Sequence, residues 1–228
     1  MFRKWRYRKR CRRLAAACTQ PVLTRYLESC ACARTSHIRN TPLIAADLEL
    51  TGLDANSNQI IAIGWTLVDN GRVRFGSNRH LLVTAQQSVG SSAAIHELVD
   101  SDIAGGMDLH AALAELFEAA RGRIWVFHHA GLDVAFLRKA CREWAGVMPP
   151  FAVLDTMQIE LARRKRRDQH VQDGDLQLGR LRSKYHLPRY TAHDALIDAV
   201  ATAELLLAMA ARLDRKAPLP LASHVRIF

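Results

Sequence analysis

The segment "IAADLELTGLD", residues 44–54, decides the reading of this chain. It sets Asp47 and Glu49 one residue apart at the end of an apolar run and follows them at once with Thr51 and Gly52. Side chains alternate across a strand, so residues i and i+2 share a face, and both carboxylates project into one small volume. Two like charges held that close repel, and one takes up a proton unless a cation lies between them. A strand end that simply reaches solvent can carry the same D-x-E pair, so the rest of the chain has to decide.

Outward from that segment, three β-like stretches run in succession from residue 43: "LIAADLEL", "QIIAIGWTLVD" and "RVRFGSNRHLLV". The turn formers "DANSN" and "DNG" separate them, which favours a meander of neighbouring antiparallel strands. Helical apolar spacing follows in "MDLHAALAELFEAARG", then a buried-strand pattern in "RIWVFHH", then a helix in "DVAFLRKACREWAG" that turns Phe136, Leu137, Ala140 and Trp144 to the core. "FAVLDTMQIELARRKRR" repeats the strand–helix passage, and Arg163 to Arg167 at its end complement the helix dipole. "DQHVQDGD" is a polar loop, and "LQLGRLRSKYHL" and "HDALIDAVATAELLLAMAARL" are helical. A β-meander followed by α/β alternation predicts an α/β fold, a mixed sheet flanked by helices.

Charge is unevenly spread. The chain of 228 residues has a formal charge of +10, yet residues 1–40 hold 11 Lys/Arg against the single acid Glu28, so the remainder is balanced. The opening "MFRKWRYRKRCRRL" interleaves Trp5 and Tyr7 with bases, a pattern able to hold a polyanion or a partner protein, to serve as an organellar address, or to stay solvated. "PVLTRYLESCACA" can form a short helix and "RTSHIRNTP" reads as a linker. The expected organisation is a basic extension over 1–40, a main domain over 41–215 and a tail over 216–228. On this division the arm should affect affinity more than chemistry. Five cysteines, an odd count without a C-x-x-C, argue against a disulfide framework and for a reducing, cytoplasmic setting. No apolar run approaches the roughly 20 residues that span a bilayer, so no membrane association is expected.

Two further acids fall where chemistry could use them. Asp133 follows an apolar strand in "HHAGLDVAFL", and Asp198 lies in "HDALIDAVATAELLL", four residues from Asp194 on one helix face. His193 is five from Asp198 and can join it only from the helix entrance. Ala195, Ala199 and Thr202 are small, as close packing of that helix on a sheet requires.

D-x-E-x-T-G-L-D, then H-x-A-x-x-D-x-x-F-L, then H-D-A-x-x-D-A, in this order, resembles the DEDDh family of 3′–5′ exonucleases, which have a ribonuclease H-like fold. The proofreading epsilon subunits of bacterial DNA polymerase III and their stand-alone relatives are similar over about residues 43–210, with "DTMQIELARR" in a comparable place. The resemblance implies that Asp47, Glu49, Asp133 and Asp198 bind two divalent metal ions, Mg²⁺ or Mn²⁺, and that His193 is the general base. It also implies that the backbone around Thr51 and Leu53 receives the terminal nucleotide, and that Ile95 and His96 in "AAIHELV" lie near it. Two departures bear on substrate contact: His129 where relatives often carry Asn, and Leu50 where many have Thr. Hydrolysis of a phosphodiester makes the same demand independently, because hard cations neutralise phosphate charge and lower the pKa of water.

The expected activity is removal of nucleoside 5′-monophosphates from the 3′ end of single-stranded nucleic acid, DNA favoured. An RNA-directed enzyme of the ribonuclease T or oligoribonuclease kind is the alternative within the class. A catalytically idle module that binds nucleic acid or a polymerase, or another replication or repair protein, through the basic arm is the alternative outside it.

Overall fold

The fold is known from a computed structural model, which describes residues 2–30, 37–84, 105–191, 193–213 and 221–228. Two helices open the chain, α1 (Phe2–Ala17) and α2 (Pro21–Glu28). The meander follows as β1 (Leu43–Leu50), β2 (Ile60–Asp69) and β3 (Arg72–Leu82), with both central residues of the β2–β3 turn, Asn70 and Gly71, at positive φ. That is the backbone a two-residue hairpin needs to match strand twist. Then come α3 (Leu109–Ala119), β4 (Ile124–Phe127), α4 (Gly131–Ala145), β5 (Ala152–Asp155), α5 (Thr156–Lys165), α6 (Leu178–Lys184), α7 (Ala195–Leu213), the short α8 (Leu221–His224) and β6 (Val225–Ile227).

Among the described residues the strands form one mixed sheet in the order β3-β2-β1-β4-β5-β6. β1 lies near its middle, antiparallel to β2 and parallel to β4. Alternation along β1 divides the core. Ile44, Ala46, Leu48 and Leu50 join the cluster built with α1 to α4, whereas Leu43 and Ala45 join the cluster that contains Ala203, Leu206 and Met209 of α7. Asp47 and Glu49 continue the odd-numbered set, so they lie on the side of the sheet that α7 covers. The expected α/β architecture, with its meander and its two strand–helix passages, is the one observed.

The outer segments depart from the expected organisation. α1 and α2 pack on the domain: Tyr7, Cys11, Leu23, Tyr26 and Leu27 are buried in the same cluster as Phe117, Trp125 and Phe151. Trp125, on β4, donates its Nε1–H to the Tyr26 hydroxyl at 2.9 Å, and the Tyr26 ring meets Phe117 edge-on at 5.0 Å. Residue 40 is therefore no packing boundary, and the basic helix is anchored through its apolar face. The C-terminal stretch is likewise more than a tail, since β6 pairs antiparallel with β5 and Phe228 exchanges backbone hydrogen bonds with Phe151. At the basic end of α5, Arg163 and Arg164 do more than complement the helix dipole. Both are buried against Glu160, which Lys184 and Tyr185 also reach.

Because Trp125 Nε1–H is buried and Tyr26 supplies its acceptor, Tyr26→Phe is expected to lower unfolding free energy by about 1–3 kcal/mol. Urea unfolding followed by Trp fluorescence measures it. An unchanged midpoint would mean that the helix pair does not share the core.

Candidate active site

The acids of β1 come together with an acid from α7 because the strand and the helix are unusually close. Gly64 of β2 sits opposite Asp47 in the sheet register. A Cβ built there would overlap the backbone of Ala195 and Leu196 at the start of α7. Only a residue without a side chain lets that helix lie so low on the sheet. Ala195, Ala199 and Thr202 are fully buried along the contact. The outcome is that Asp47, Glu49 and Asp198 each offer a carboxylate oxygen, all within 4.8 Å of one another.

Asp133 enters from the opposite layer. It stands in the first turn of α4, is nearly buried, and has the backbone N–H groups of Leu48 and of Asp133 itself turned towards its carboxylate. It falls outside the set of three within 4.8 Å but is close enough for its charge to act on Asp47 and Glu49. The turn that carries it is held from below by Asp155, whose carboxylate accepts the N–H groups of His129, Ala130 and Gln158. His128 fastens the same turn sideways, with Nδ1 at 2.8 Å from the Thr156 hydroxyl and Nε2 at 2.9 Å from the Leu176 carbonyl. Burial lowers the His128 pKa, so it serves as a neutral strut.

His193 stands just before α7 with φ +69° and is exposed. Its backbone N–H donates to Asp198 Oδ2 at 3.0 Å. A left-handed backbone is sparsely populated for a residue with a side chain and marks a position that its surroundings fix. Asp194 caps the helix by accepting the Ile197 N–H. Arg182 secures the approach from the other side, donating to the carbonyls of Ala201 and Pro188, pairing with Glu204 and lying over the Tyr190 ring.

Thr51 and Leu53 lie in the β1–β2 loop. Thr51 bonds across it, accepting the Gln59 N–H and donating to Asn58 Oδ1, and Asp54 braces the turn through Asn56 and Ser57. Leu53 is an apolar side chain left 80 % exposed in this loop. Ile95 and His96 lie outside the described residues. His129, one of the two positions that depart from the family pattern, is exposed at φ +70°. A cleft of about 1320 Å³ opens from His193 and Asp198 past His128 and Tyr190, with Arg180 and Arg189 on its walls.

Sequence reasoning brought the five motif residues together but did not single out Gly64, Asp155 or Arg182. A glycine inside the apolar strand "IIAIGWTLVD" was the available sign of a close backbone approach.

The electrostatics of the cluster suit a cation. Burial and then Asp133, Glu49, Asp198 and Asp194 hold Asp47 well above the usual carboxylate range. Burial and then Asp198, Asp194 and Asp133 push Glu49 up to about 8. Burial takes Asp133 to about 7 and raises Asp198 despite its hydrogen bond from His193. An all-carboxylate donor set is hard and suits Mg²⁺ or Mn²⁺, and such ions remove the repulsion that raises these pKa values. The residues fit that kind of metal.

Acids whose pKa rises on folding bind more protons in the folded state, so their contribution is complete below the unfolded value near 4.5 and is lost as pH rises through about 8. In chelator, the thermal midpoint is therefore expected to fall as pH rises from 5 to 8, and Mn²⁺ at pH 8 should restore it. A midpoint that Mn²⁺ leaves unmoved at pH 8 would count against a cation site.

Comparisons with known proteins bear on the family and the fold. The chain is 27% identical over 169 residues to the 3′-5′ exonuclease DinG of Staphylococcus haemolyticus, covering 74% of this chain and 18% of that protein. It is 27% identical over 172 residues to the PolC-type DNA polymerase III of Caldanaerobacter subterraneus, covering 75% of this chain and 12% of the polymerase. This chain thus spans less than a fifth of either relative. Among solved structures, Escherichia coli exonuclease I in complex with a dT13 oligonucleotide superposes with a TM-score of 0.62 at 14% identity, over 78% of this chain and 42% of that one. Exonuclease X in complex with 5′ overhanging duplex DNA gives 0.57 at 20% identity, over 75% of this chain and 92% of that one. Both show the fold. The family described as Exonuclease (RNase T) matches residues 44–206, a span that contains every acid of the cluster, and the chain belongs to that family.

Proposed function

We propose that this protein is a metal-dependent 3′–5′ exonuclease that releases nucleoside 5′-monophosphates from single-stranded nucleic acid, DNA favoured. The observation that carries the reading is the convergence of Asp47, Glu49 and Asp198 within 4.8 Å, with Asp133 close enough to act on them and Asp198 lining a cleft that also carries Arg180 and Arg189. The relatives named 3′-5′ exonuclease and DNA polymerase III support the polarity and the favoured strand.

Two divalent ions, Mg²⁺ or Mn²⁺, held by Asp47, Glu49, Asp133 and Asp198, would neutralise charge on the scissile phosphate and lower the pKa of water beside it. His193 takes the proton from the attacking water on its imidazole. It is exposed and lines the cleft, and its backbone tether to Asp198 keeps its position fixed. Water attacks phosphorus, the bond to the 3′ oxygen of the preceding nucleotide breaks, and the terminal nucleotide leaves with its 5′-phosphate. The backbone at Thr51 and the uncovered Leu53 receive that nucleotide, with Ile95 and His96 as further contacts. Arg180 and Arg189 attract the phosphates that follow. The exposed bases of α1 are a surface for nucleic acid or for a polymerase or repair partner. No helix among the described residues is long and apolar enough to cross a membrane, and the odd cysteine count favours the cytoplasm.

The test is cleavage of matched 3′-single-stranded DNA and RNA oligonucleotides with Mg²⁺, with Mn²⁺ and with chelator, beside folded His193→Ala. Metal-dependent release of mononucleotides from the 3′ end is expected, slowed by about 10²-fold or more in the variant. The preferred strand identifies the substrate. Absence of cleavage with either metal, with oligonucleotide binding retained, would overturn the reading in favour of an idle binding module.

A further inference from the structure

The odd cysteine count conceals a pair. Cys11, buried on α1, and Cys30, half-buried just past the end of α2, bring their sulfurs to 2.8 Å across 19 residues of chain. A disulfide bond is about 2.05 Å long, so closure needs less than about 1 Å of movement. The Tyr7 hydroxyl lies 3.5 Å from Cys30 Sγ. The other described cysteines are placed differently: Cys18 turns its thiol to the Gln20 carbonyl, and Cys141 is fully buried, with burial holding its thiol protonated.

We propose that Cys11 and Cys30 are a reversible disulfide site that clasps the basic helix α1 to the body of the protein. Cys30 is the entry point, because it is the more exposed of the two and the contacts from Cys11 and Tyr7 favour its thiolate, which burial opposes. The oxidant is a low-molecular-weight disulfide, RSSR. The Cys30 thiolate attacks one sulfur of RSSR, forms Cys30–S–S–R and expels RS⁻. Cys11 gives its proton to that thiolate, and its sulfur attacks the Cys30 sulfur, forming the Cys11–Cys30 bond and expelling the second RS⁻. Two electrons pass to RSSR, which ends as two thiols. α1 presents Arg6, Arg8, Lys9, Arg12 and Arg13 to solvent, so the clasp governs how firmly that basic face is held.

The experiment exposes the folded full-length chain to oxidised glutathione, alkylates the remaining thiols, and cleaves after glutamate under denaturing conditions. Cleavage after Glu28 and Glu49 separates residues 1–28, with Cys11 and Cys18, from residues 29–49, with Cys30 and Cys32. The expected result is loss of two hydrogens in the intact mass and joined fragments that part on reduction. Linkage should persist in Cys18→Ser and Cys32→Ser and vanish in Cys11→Ser and Cys30→Ser. The wild-type mass and fragment map stand on their own if a variant fails to fold. Full alkylation of Cys11 and Cys30 after excess oxidised glutathione, linkage through Cys18 or Cys32 instead, or protection released by a chelator and not by a reductant would each overturn the proposal.

Discussion

The close approach of α7 to the sheet at Gly64 is the contact on which the candidate site depends. β1 alone can supply two carboxylates, since Asp47 and Glu49 share the odd-numbered face with Leu43 and Ala45. The third oxygen donor comes from a helix far along the chain, and it reaches the pair only because nothing projects from β2 opposite Asp47. The buried small residues Ala195, Ala199 and Thr202 extend the contact, and Ala203 and Leu206 seat the next turns in the core. Packing is therefore the cause of the charge cluster. Apolar burial along α7 offsets the cost of holding several acids together, a cost that shows in the raised pKa values of Asp47, Glu49, Asp133 and Asp198.

Around this contact, buried polar groups fix the pieces that must arrive from elsewhere. Asp155 and His128 tie the turn before α4, and so Asp133, to the ends of β5 and α5. Arg182 ties the segment before His193 to α7. Glu160, wholly buried, joins α5 to α6 through Arg163, Arg164, Lys184 and Tyr185, and these partners outweigh its burial and lower its pKa. Such networks are stabilising only when satisfied, and they hold the site on several elements at once.

Much of this was legible in the sequence because the motifs are local. Strand alternation put Asp47 and Glu49 on one face, turn residues marked the meander, and the spacing of His193 and Asp198 required the histidine to stand at the helix entrance, where it is found. What was not legible depends on tertiary partners. The basic composition of residues 1–13 masked an apolar face, Tyr7 and Cys11, whose burial requires α2 and the aromatic cluster. The three-residue β6 is too short to announce itself and exists by pairing with β5. Arg163 and Arg164 read as dipole-complementing bases at a helix end, and their pairing with the buried Glu160 shows only in the packed chain. The Cys11–Cys30 contact links α1 to the segment just past α2, which spacing alone does not reveal.

The most direct measurement of the central claim is Mn²⁺ binding by calorimetry to Gly64→Ala beside the wild type, with circular dichroism to verify that the variant keeps its sheet and helices. A Cβ at that position has to lift the start of α7 and carry Asp198 away from Asp47 and Glu49. The account predicts that a folded variant binds Mn²⁺ at least about tenfold more weakly, a loss of roughly 1.4 kcal/mol. Unchanged affinity in the folded variant would contradict it, because the metal site would then not depend on the contact between α7 and β2.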